Sequence, residues 1–524
     1  MTLTKLEMIR ATILIVIFTA VKGDDCVLRS FGPGRTVCVC NSTYCDTPSN
    51  PKYQENQFLW YISTQNGTRM DYSSHNFSTE ESENSLVLTV DSNKKYQIIQ
   101  GFGGAMTDAA ALNIRSLSNE TQRNLLESYF GSTGIGYTFT RIPIAGTDFS
   151  TRPYTYDDVP DDITLSHFSL VEEDDYKIQY LHDIKNLMPN SSNYRIFTTA
   201  WSAPAWMKSS KNIKWGEIWS FLKREYYQLY ADYIKKFFDA YKKRDIDIWG
   251  MTPGNEPLDG FLPFFTFNAM GWTPKAAATW TVDYLAPTLS NANYYPVYMA
   301  LDDQRFELPW YVDKMFRNKN AKELFDGIAV HWYADRLFTP ERLIETHNKY
   351  PDKFMLMTEA CVGSSPFEEK VVLGSWERGE RYFLDIIQNL SHWMSGWIDW
   401  NMALNEHGAP NWAENFVDSP IIVMPQNDEF YKQPMFYAIA HFSTFVPRNS
   451  YRIDLKIENE EILEENLRDV EAIAFLTPEQ KIVIAIINKA NSSVPITIKN
   501  KSKTKTMNLQ LLPRSFNTLL YSEK

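Results

Sequence analysis

The sequence predicts an α/β protein built on a (β/α)8 TIM barrel, with discontinuous all-β accessory domains that comprise a small antiparallel sheet and a β-sandwich. Three observations support this fold class. Apolar runs alternate with helical patterns along the middle of the chain. Together these runs and patterns form eight strand–helix units over about 300 residues. Segments with the alternating pattern of β-strands flank the eight units on both sides. After a first strand at Ile98, the strand candidates are 137–144, 194–201, 246–252, 294–301, 326–333, 353–359 and 394–401. Helical patterns such as 120–130 and 219–241 lie between them.

The first 23 residues have the pattern of a secretory signal peptide. Lys5 and Arg10 precede the apolar run 11–20, and Val21 and Gly23 stand at positions −3 and −1 of a cut before Asp24. The run is too short to span a bilayer comfortably. We therefore expect the mature protein in the secretory or endolysosomal pathway.

The cysteines agree with an oxidising lumen. Cys26, Cys38, Cys40 and Cys45 crowd the mature N-terminus, and Cys361 stands alone. Two disulfides among the four are favoured, with three possible pairings. A zinc site is the alternative, but the spacing lacks a Cys-x-x-Cys pair and no His lies beside it. Sequons that predict surface glycans occur at Asn41, Asn66, Asn76, Asn119, Asn190, Asn389, Asn491 and Asn500.

Composition excludes several classes of protein. Of 524 residues, 44% are hydrophobic and 22% charged, which are globular values and exclude a disordered chain. The net charge of −12 and the absence of an Arg/Lys stripe argue against a nucleic-acid binder. An acidic chain repels itself less when its carboxylates are protonated, so the charge suits an acidic compartment.

The segments that flank the barrel candidates have distinct patterns. Residues 24–51 are rich in loop residues, whereas 58–98 alternate as antiparallel strands do. The glycine-rich segment 96–105 predicts a turn, after which Thr107 or Asp108 caps a helix through 109–112. The segment is not a dinucleotide fingerprint, because Met106 occupies the place of the last Gly. Beyond Val446 the pattern returns to antiparallel β.

Two apolar runs end in glutamates. The run 248–252 breaks at 253–254 and delivers Asn255 and Glu256, and the run 354–358 ends at Glu359. Barrel enzymes carry their chemistry at strand C-termini, and these glutamates follow the fourth and seventh strand candidates. Two converging carboxylates are typical of a retaining glycoside hydrolase, with one acid/base and one nucleophile. The alternative is that each Glu caps a helix or meets solvent.

Longer blocks identify a family. They are Gly101–Asn113, His331–Tyr333, Glu359–Gly363, Gly396–Asn401 and Asn415–Ile422. Over these blocks, and from Cys26 nearly to the C-terminus, the chain resembles the glucosylceramidases of glycoside hydrolase family 30. The resemblance and the patterns together predict four units: the signal peptide 1–23, a small disulfide-stapled antiparallel sheet from 24–49 and 402–433, a β-sandwich from 50–96 and 448–524, and a catalytic barrel from 97–401 and 434–447.

The resemblance implies roles for individual residues. Glu256 matches the acid/base, which needs a raised pKa, and Glu359 matches the nucleophile, which needs to be ionised. Arg141 and Tyr333 match residues beside the nucleophile, and His331 matches one near the subsite, although Arg141 and His331 are also explained by purely structural contacts. The glucose-holding positions match Asp148, Trp201, Asn255, Trp400 and Asn415. The implied disulfides are Cys26–Cys38 and Cys40–Cys45. Cys361 is then free, and we expect it to be buried and inert rather than a nucleophile.

The resemblance also implies an activity and partners. It implies hydrolysis of glucosylceramide to glucose and ceramide in sphingolipid degradation, in the lysosome or after secretion. It implies no cofactor and no metal. The expected partners are glucosylceramide in membranes, anionic lipid and a saposin-type activator, with peripheral membrane contact and no nucleic acid.

Departures from the family pattern leave the aglycone open. Phe265 stands where Tyr is usual, 365–367 replace a more basic and aromatic stretch, and Thr147 replaces a free Cys. One alternative is therefore a relative that acts on another β-glycoside, such as a xyloside or a soluble glucoside. Another is a non-catalytic secreted glycan-binding protein, against which the retention of both glutamates argues. The segment 260–268 carries four Phe in a predicted loop, which either packs internally or meets lipid.

Overall fold

The computed structural model describes residues 24–49, 51, 56–214, 219–458, 469–501 and 506–523. The predicted signal peptide lies outside these residues. Within them, no helix combines the length and the apolar character that a membrane span requires.

Strands alternate with helices through the central part of the chain, from residue 101 to residue 401. The strands are β1 Leu28–Ser30, β2 Thr36–Asn41, β3 Gln57–Thr64, β4 Asp71–Asn76, β5 Leu86–Ile98, β6 Gly101–Ala105, β7 Phe139–Ile144, β8 Arg195–Ala200, β9 Gly250–Met251, β10 Val297–Gln304, β11 Phe325–His331, β12 Phe354–Glu359, β13 Met394–Asn401, β14 Leu404–Asn405, β15 Ile421–Met424, β16 Glu429–Lys432, β17 Tyr451–Ile457, β18 Val470–Leu476, β19 Lys481–Asn488, β20 Val494–Asn500, β21 Thr506–Leu511 and β22 Ser515–Ser522. The helices are α1 Asp108–Arg115, α2 Asn119–Phe130, α3 Glu172–Leu187, α4 Tyr227–Lys242, α5 Pro274–Trp280, α6 Ala286–Asn291, α7 Trp310–Met315, α8 Lys319–Leu324, α9 Glu341–Lys349, α10 Trp376–Ser391 and α11 Pro434–Ser443.

Eight parallel strands close into a barrel in the order β10-β11-β12-β13-β6-β7-β8-β9. Six of the eight strands contribute to one layer of buried apolar side chains, made of Phe139, Phe197, Met299, Ala329, Leu356 and Ile398. This layer explains why the strands read as continuous apolar runs, since both faces of each strand are buried. The predicted barrel fold is confirmed.

The first barrel strand lies later in the chain than the sequence suggested. Ile98 ends β5, which belongs to an accessory sheet, and the glycines read as a turn form β6 instead. Glycine is required here because the neighbouring strand approaches closely: a Cβ on Gly103 would lie 2.2 Å from the carbonyl oxygen of Phe139. The helix cap was predicted correctly, since the side chain of Thr107 accepts a hydrogen bond from the Ala110 amide.

Other boundaries differ as well; for example, β10 spans Val297–Gln304 rather than 294–301. The fourth barrel strand has only two residues, Gly250–Met251, rather than 246–252. Helix α4 begins at Tyr227 rather than at 219, because the backbone around Phe221 and Leu222 pairs with Gly271 and Lys208 as isolated β-bridges. Tertiary pairing therefore overrides the helical periodicity of that stretch.

Two sheets flank the barrel, and each combines strands that precede the barrel strands in the chain with strands that follow them. One has five strands in the order β1-β2-β16-β15-β14, and the other has nine in the order β21-β20-β5-β17-β18-β19-β22-β3-β4. Disulfides join Cys26 to Cys38 and Cys40 to Cys45 beside the smaller sheet, the pairs that the resemblance implies. The thiol of Cys361 is free and buried. The larger sheet leads directly into the barrel, because only Ile99 and Gln100 separate β5 from β6.

Candidate active site

The carboxyl ends of the barrel strands bring five ionisable side chains together. Glu359 and His331 are the last residues of β12 and β11, and Arg141 and Asp302 lie in β7 and β10. Glu256 lies in the turn after β9, where its amide donates a hydrogen bond of 2.9 Å to the carbonyl of Asp302. Its φ of +40° is left-handed, a backbone state that costs of order 1–3 kcal/mol in a non-glycine residue and persists where the surroundings enforce it.

Two donors bind the carboxyl group of Glu359. The guanidinium of Arg141 forms an ion pair with Oε2 of Glu359, and the Tyr333 hydroxyl donates a 2.6 Å hydrogen bond to Oε1. Arg141 is fully buried and also donates to Oδ1 of Asn255 at 2.7 Å and to Asp302 at 3.1 Å. Burial raises the pKa of Tyr333 well above its usual range, so this phenol stays a donor. The arrangement fits a carboxylate poised as a nucleophile.

Asp302 is a member of the site that the sequence reading missed. Burial alone would raise its pKa, but the charges of Arg141 and His331 and the hydrogen bond from Thr358 hold it well below the usual range. Leu301 and Asp302 both have positive φ, at 75° and 67°, where the register shifts between β10 and β11. The available signal was the polar Asp302-Asp303 pair directly after an apolar run.

One carboxyl oxygen of Glu256 has two hydrogen-bonding partners. His331 Nδ1 lies 2.9 Å from Oε1 of Glu256, and the Gln304 amide donates to the same oxygen at 2.8 Å. The other ring nitrogen of His331 lies 3.1 Å from Asp302. Burial lowers the pKa of His331, but the charge of Glu359 and the hydrogen bonds to Asp302 and Glu256 outweigh it and raise the pKa to about 10. His331 is therefore an imidazolium in the substrate-free site.

The expected raised pKa of Glu256 is not found in the substrate-free site. Burial does raise it, but the hydrogen bond and charge of His331 outweigh burial and hold the pKa below its ordinary value.

The two glutamates are close enough to act on one bond. A carboxyl oxygen of Glu256, a ring nitrogen of His331 and a carboxyl oxygen of Glu359 all lie within 4.8 Å of one another. Retaining glycosidases hold their carboxyl groups about 5–5.5 Å apart, whereas inverting enzymes hold them about 6.5–9.5 Å apart. The separation favours direct attack by one carboxylate over attack by an intervening water.

A cavity of about 240 Å³ opens between the two glutamates. Pockets for drug-sized ligands run to about 300–1,000 Å³, so this volume suits a single sugar ring. Its lining includes four of the expected glucose-holding residues: Asp148, Trp201, Trp400 and Asn415. The fifth, Asn255, is not among the lining residues and instead accepts the hydrogen bond from Arg141.

The sugar-facing groups are held by their own contacts. The Trp201 and Trp400 rings stack at 5.1 Å, and the Arg141 guanidinium lies 5.0 and 5.3 Å from their centroids. Asp148 accepts hydrogen bonds from the amides of Asn415 and Asn411, at 3.0 and 3.1 Å. Burial, opposed by these amides, raises the pKa of Asp148 to about 7. Asn411 has no signal in the sequence that separates it from an ordinary loop residue.

The aromatic segment 260–268 divides its side chains between two roles. Phe261 packs on Phe221 at 4.8 Å, whereas Phe265 and Phe267 contact each other at 4.4 Å and line the cavity. Phe264 is 73% exposed. Internal packing therefore holds for Phe261, and contact of the segment with lipid stays a prediction.

Cys361 also lines the cavity, but its surroundings do not activate it. Burial raises the pKa of its thiol well above the usual range, and its sulfur lies 3.4 Å from the Tyr333 hydroxyl. A protonated, buried thiol is a poor nucleophile.

Two of the predicted glycosylation sequons are buried. The Asn389 side chain donates to Asp385 and Asp335 and accepts from Arg305, and the Asn500 amide donates to Glu523 and Tyr521. A glycan cannot be placed on either side chain without breaking these contacts, so both candidates are corrected. Asn66, Asn76, Asn119, Asn190 and Asn491 are exposed, and Asn41 is partly buried.

Comparisons with known proteins find similar sequences and similar folds. Residues 99–446 match the family model described as the glycosyl hydrolase family 30 TIM-barrel domain, and residues 449–519 match the family 30 beta sandwich domain. The chain is 41% identical to lysosomal acid glucosylceramidase of Mus musculus, over 91% of both chains, and 39% identical to putative glucosylceramidase 3 of Caenorhabditis elegans, over 93% of both. Among solved structures, SrfJ from Salmonella typhimurium has a TM-score of 0.80 at 24% identity, covering 89% of this chain and 100% of its own. That last similarity concerns the fold alone.

Proposed function

The chain belongs to glycosyl hydrolase family 30 and is a glycoside hydrolase, and from that premise we propose that it is a retaining β-glucosidase that cleaves glucosylceramide into glucose and ceramide. The observation that carries the mechanism is the pair of glutamates whose carboxyl oxygens approach within 4.8 Å, one of them bound by Arg141 and Tyr333. The relatives named as glucosylceramidases support the substrate.

The first step breaks the glycosidic bond. Glu359, ionised beside Arg141, attacks the anomeric carbon and forms a glycosyl ester, while Glu256 gives a proton to the leaving oxygen. Formation of the ester removes the negative charge of Glu359 beside the Arg141 guanidinium. The guanidinium keeps its hydrogen bonds to Asp302 and Asn255, so its positive charge remains compensated.

The second step reverses the roles. Water attacks the anomeric carbon as Glu256 removes its proton, and Glu359 leaves as a carboxylate. The Tyr333 hydroxyl and Arg141 stabilise the negative charge that returns to Glu359, because both already point at its oxygens. Two inversions at one carbon give net retention.

The glucose subsite recognises a single ring. Asp148 and Asn415 offer a carboxyl and an amide to ring hydroxyls, and the stacked indoles of Trp201 and Trp400 offer an apolar face. Because the pKa of Asp148 is about 7, its carboxyl is protonated in an acidic compartment and there both donates and accepts hydrogen bonds.

Exposed apolar side chains near the site support a membrane-bound substrate. Trp219, Leu262, Phe264, Leu337 and Phe367 are 61%, 50%, 73%, 81% and 100% exposed. All five lie in segments that follow barrel strands β8, β9, β11 and β12, and such segments gather at the end of the barrel that carries the active site. Aromatic side chains at the mouth of a site favour the membrane interface. We therefore propose peripheral contact with lipid, aided by anionic lipid and a saposin-type activator, in the lysosome.

Liposome hydrolysis tests the proposal. We expect release of glucose from glucosylceramide liposomes at pH 5, with slower hydrolysis of the galactosyl and xylosyl analogues. Phe264→Ser should reduce hydrolysis in liposomes at least tenfold, the order of magnitude for losing one buried Phe from lipid, about 1.5–3 kcal/mol. The same variant should cleave a soluble aryl β-glucoside at the normal rate, with Tyr295→Ser, 76% exposed on the far end of the barrel, as the matched control.

Other outcomes select the alternatives. Faster hydrolysis of a xyloside or of a soluble glucoside would identify a family relative with another aglycone. Binding of glycans without turnover of any of these substrates would identify a glycan-binding protein on the same scaffold.

A further inference from the structure

The turn that carries Glu256 carries a second carboxyl three residues later. The amide of Asp259 donates a 3.0 Å hydrogen bond to the carbonyl of Glu256, which folds the chain back on itself. Asp259 then begins the 3-10 turn Asp259–Phe261, and its carboxyl makes a side-chain hydrogen bond with that of Glu256. Two carboxyl groups can be joined in this way only if one of them is protonated.

Neighbouring elements hold the pair in place. Oδ2 of Asp303, in β10, accepts a 3.1 Å hydrogen bond from the amide of Leu258, between the two members of the pair. Oε1 of Glu256 is fixed from the other side by His331 and Gln304. The ionisable groups that face the pair are Arg141 from β7, Asp303 from β10, Glu307 from the turn after it, His331 from β11, Tyr333 after β11 and Glu359 from β12.

We propose that Asp259 is a positioning residue for the acid/base: its carboxyl and that of Glu256 hold one proton between them, and this shared proton is the one delivered to the leaving oxygen. The inference rests on the proposed role of Glu256. It explains how Glu256 can act as an acid beside the imidazolium of His331. The carboxyl of Asp259 keeps a proton at hydrogen-bond distance from Glu256.

The electrostatics of the pair support this storage. Burial and the charge of Glu256 raise the pKa of Asp259 well above its usual range, and Asp303 and Glu359 add to the effect. The pKa of Glu256 moves the other way, because the hydrogen bonds from His331 and Asp259 outweigh burial. The resting proton therefore belongs to the pair, which titrates as one unit with two separated macroscopic pKa values.

The proton balances over the two steps. In the first, the C–O bond breaks, Glu359 becomes an uncharged ester, and the pair passes its single proton to the leaving oxygen, so that the pair becomes two carboxylates. The charge of Glu359, which favours retention of that proton, disappears at the same moment. In the second, water gives one proton to the pair and its oxygen to the anomeric carbon, and Glu359 regains its charge.

The alkaline limb of the pH profile tests the inference. We would measure kcat/KM against pH for octyl β-glucoside, whose poor leaving group needs an acid, with Asp259→Asn, Asp259→Ala and the parent. In the parent, loss of the shared proton leaves two neighbouring carboxylates, which repel each other. Both variants remove the second carboxyl group and with it this repulsion, so the alkaline limb should move to lower pH. The Asn side chain still donates a hydrogen bond to the Glu256 carboxylate, so Asp259→Asn should move the alkaline limb further than Asp259→Ala does. We expect a shift of about one pH unit, which lowers kcat/KM about tenfold on the alkaline side.

Controls separate this inference from the proposed function. Asp161→Asn removes an equal charge from an exposed loop and should leave the limb in place. Dinitrophenyl β-glucoside needs no acid, so its kcat/KM should lack the limb in every protein, and melting temperatures check that each variant folds. If Glu256 were not the acid, both substrates would share one limb in the parent protein, whatever Asp259 does. If instead the substrates differ but either folded Asp259 variant superimposes on the parent, the role of Asp259 is overturned.

Discussion

Removal of the Arg141 charge is the sharpest test of the site's electrostatics, and we expect Arg141→Gln to destabilise the protein strongly near neutral pH. The guanidinium is fully buried and pairs with Asp302 and Glu359, whose side chains are 0% and 7% exposed. Breaking a buried pair by removing one partner costs about 3–5 kcal/mol, because the remaining charge loses its compensation. At about 2 °C per kcal/mol for a large domain, the melting temperature should fall by about 6–10 °C.

The loss should depend on pH in a defined direction. The pKa of Asp302 is lowered in the folded protein, chiefly because the charge of Arg141 outweighs burial. Its stabilising contribution is therefore present above the unfolded pKa of about 3.9 and is lost as the pH falls through the folded value. Without Arg141, burial raises the pKa of Asp302 instead, so the variant regains stability by taking up a proton. The difference between variant and parent should shrink from pH 7 to pH 4.

Thermal melts at pH 7 and pH 4 measure both effects. The matched control is Arg244→Gln, which breaks the pair with Asp175 whose side chains are 44% and 54% exposed; exposed pairs contribute about 0–1 kcal/mol. A loss for Arg141→Gln no larger than for this control would refute the reasoning. An equal loss at the two pH values would refute its electrostatic part.

Three further predictions concern single groups in the site. Tyr333→Phe removes a 2.6 Å hydrogen bond to Glu359 and should lower kcat/KM by about 10–150-fold, the equivalent of 1.5–3 kcal/mol for a bond to a charged group; Tyr295→Phe, at an exposed ring, should leave kinetics unchanged. Glu256→Ala should be rescued by azide with a β-glucosyl azide as product, whereas an α-product or no rescue would contradict its role. Cys361 should resist iodoacetamide at pH 8 until the protein is unfolded, since burial raises the pKa of its thiol; rapid labelling of the folded protein would show that the thiol is accessible and ionised.

The sequence was sufficient to predict the barrel and the positions of the two glutamates at the carboxyl ends of its strands. Strands buried on both faces must be apolar throughout, so they are visible as runs, and Glu256 and Glu359 stand out as charges at the ends of two such runs. The first strand was misplaced because glycine normally favours turns over strands. Here the close approach of Phe139 to Gly103, and of Gly101 to Gly396, requires glycine on adjacent strands. That requirement exists only between residues distant in sequence.

The supporting groups were harder to predict. Asp302 points at Arg141 and His331 because Leu301 and Asp302 adopt positive φ, a local bulge that no periodicity reveals. Asp259 reaches Glu256 because a turn reverses the chain, so its role depends on backbone geometry rather than on residue type. The sequon at Asn389 failed for a related reason, since a three-residue motif carries no information about burial in α10.

Covalent trapping of the glycosyl ester tests the central claim, which is that Glu359 is the nucleophile of a retaining β-glucosidase. The protein would be inactivated with a cyclitol epoxide of glucose configuration, digested, and mapped by mass spectrometry, with Glu359→Gln treated in parallel. The account predicts one label per chain, on the peptide that contains Thr358, Glu359 and Ala360, and none on the variant. A label on Glu256, or inactivation with Glu359 unmodified, would contradict it.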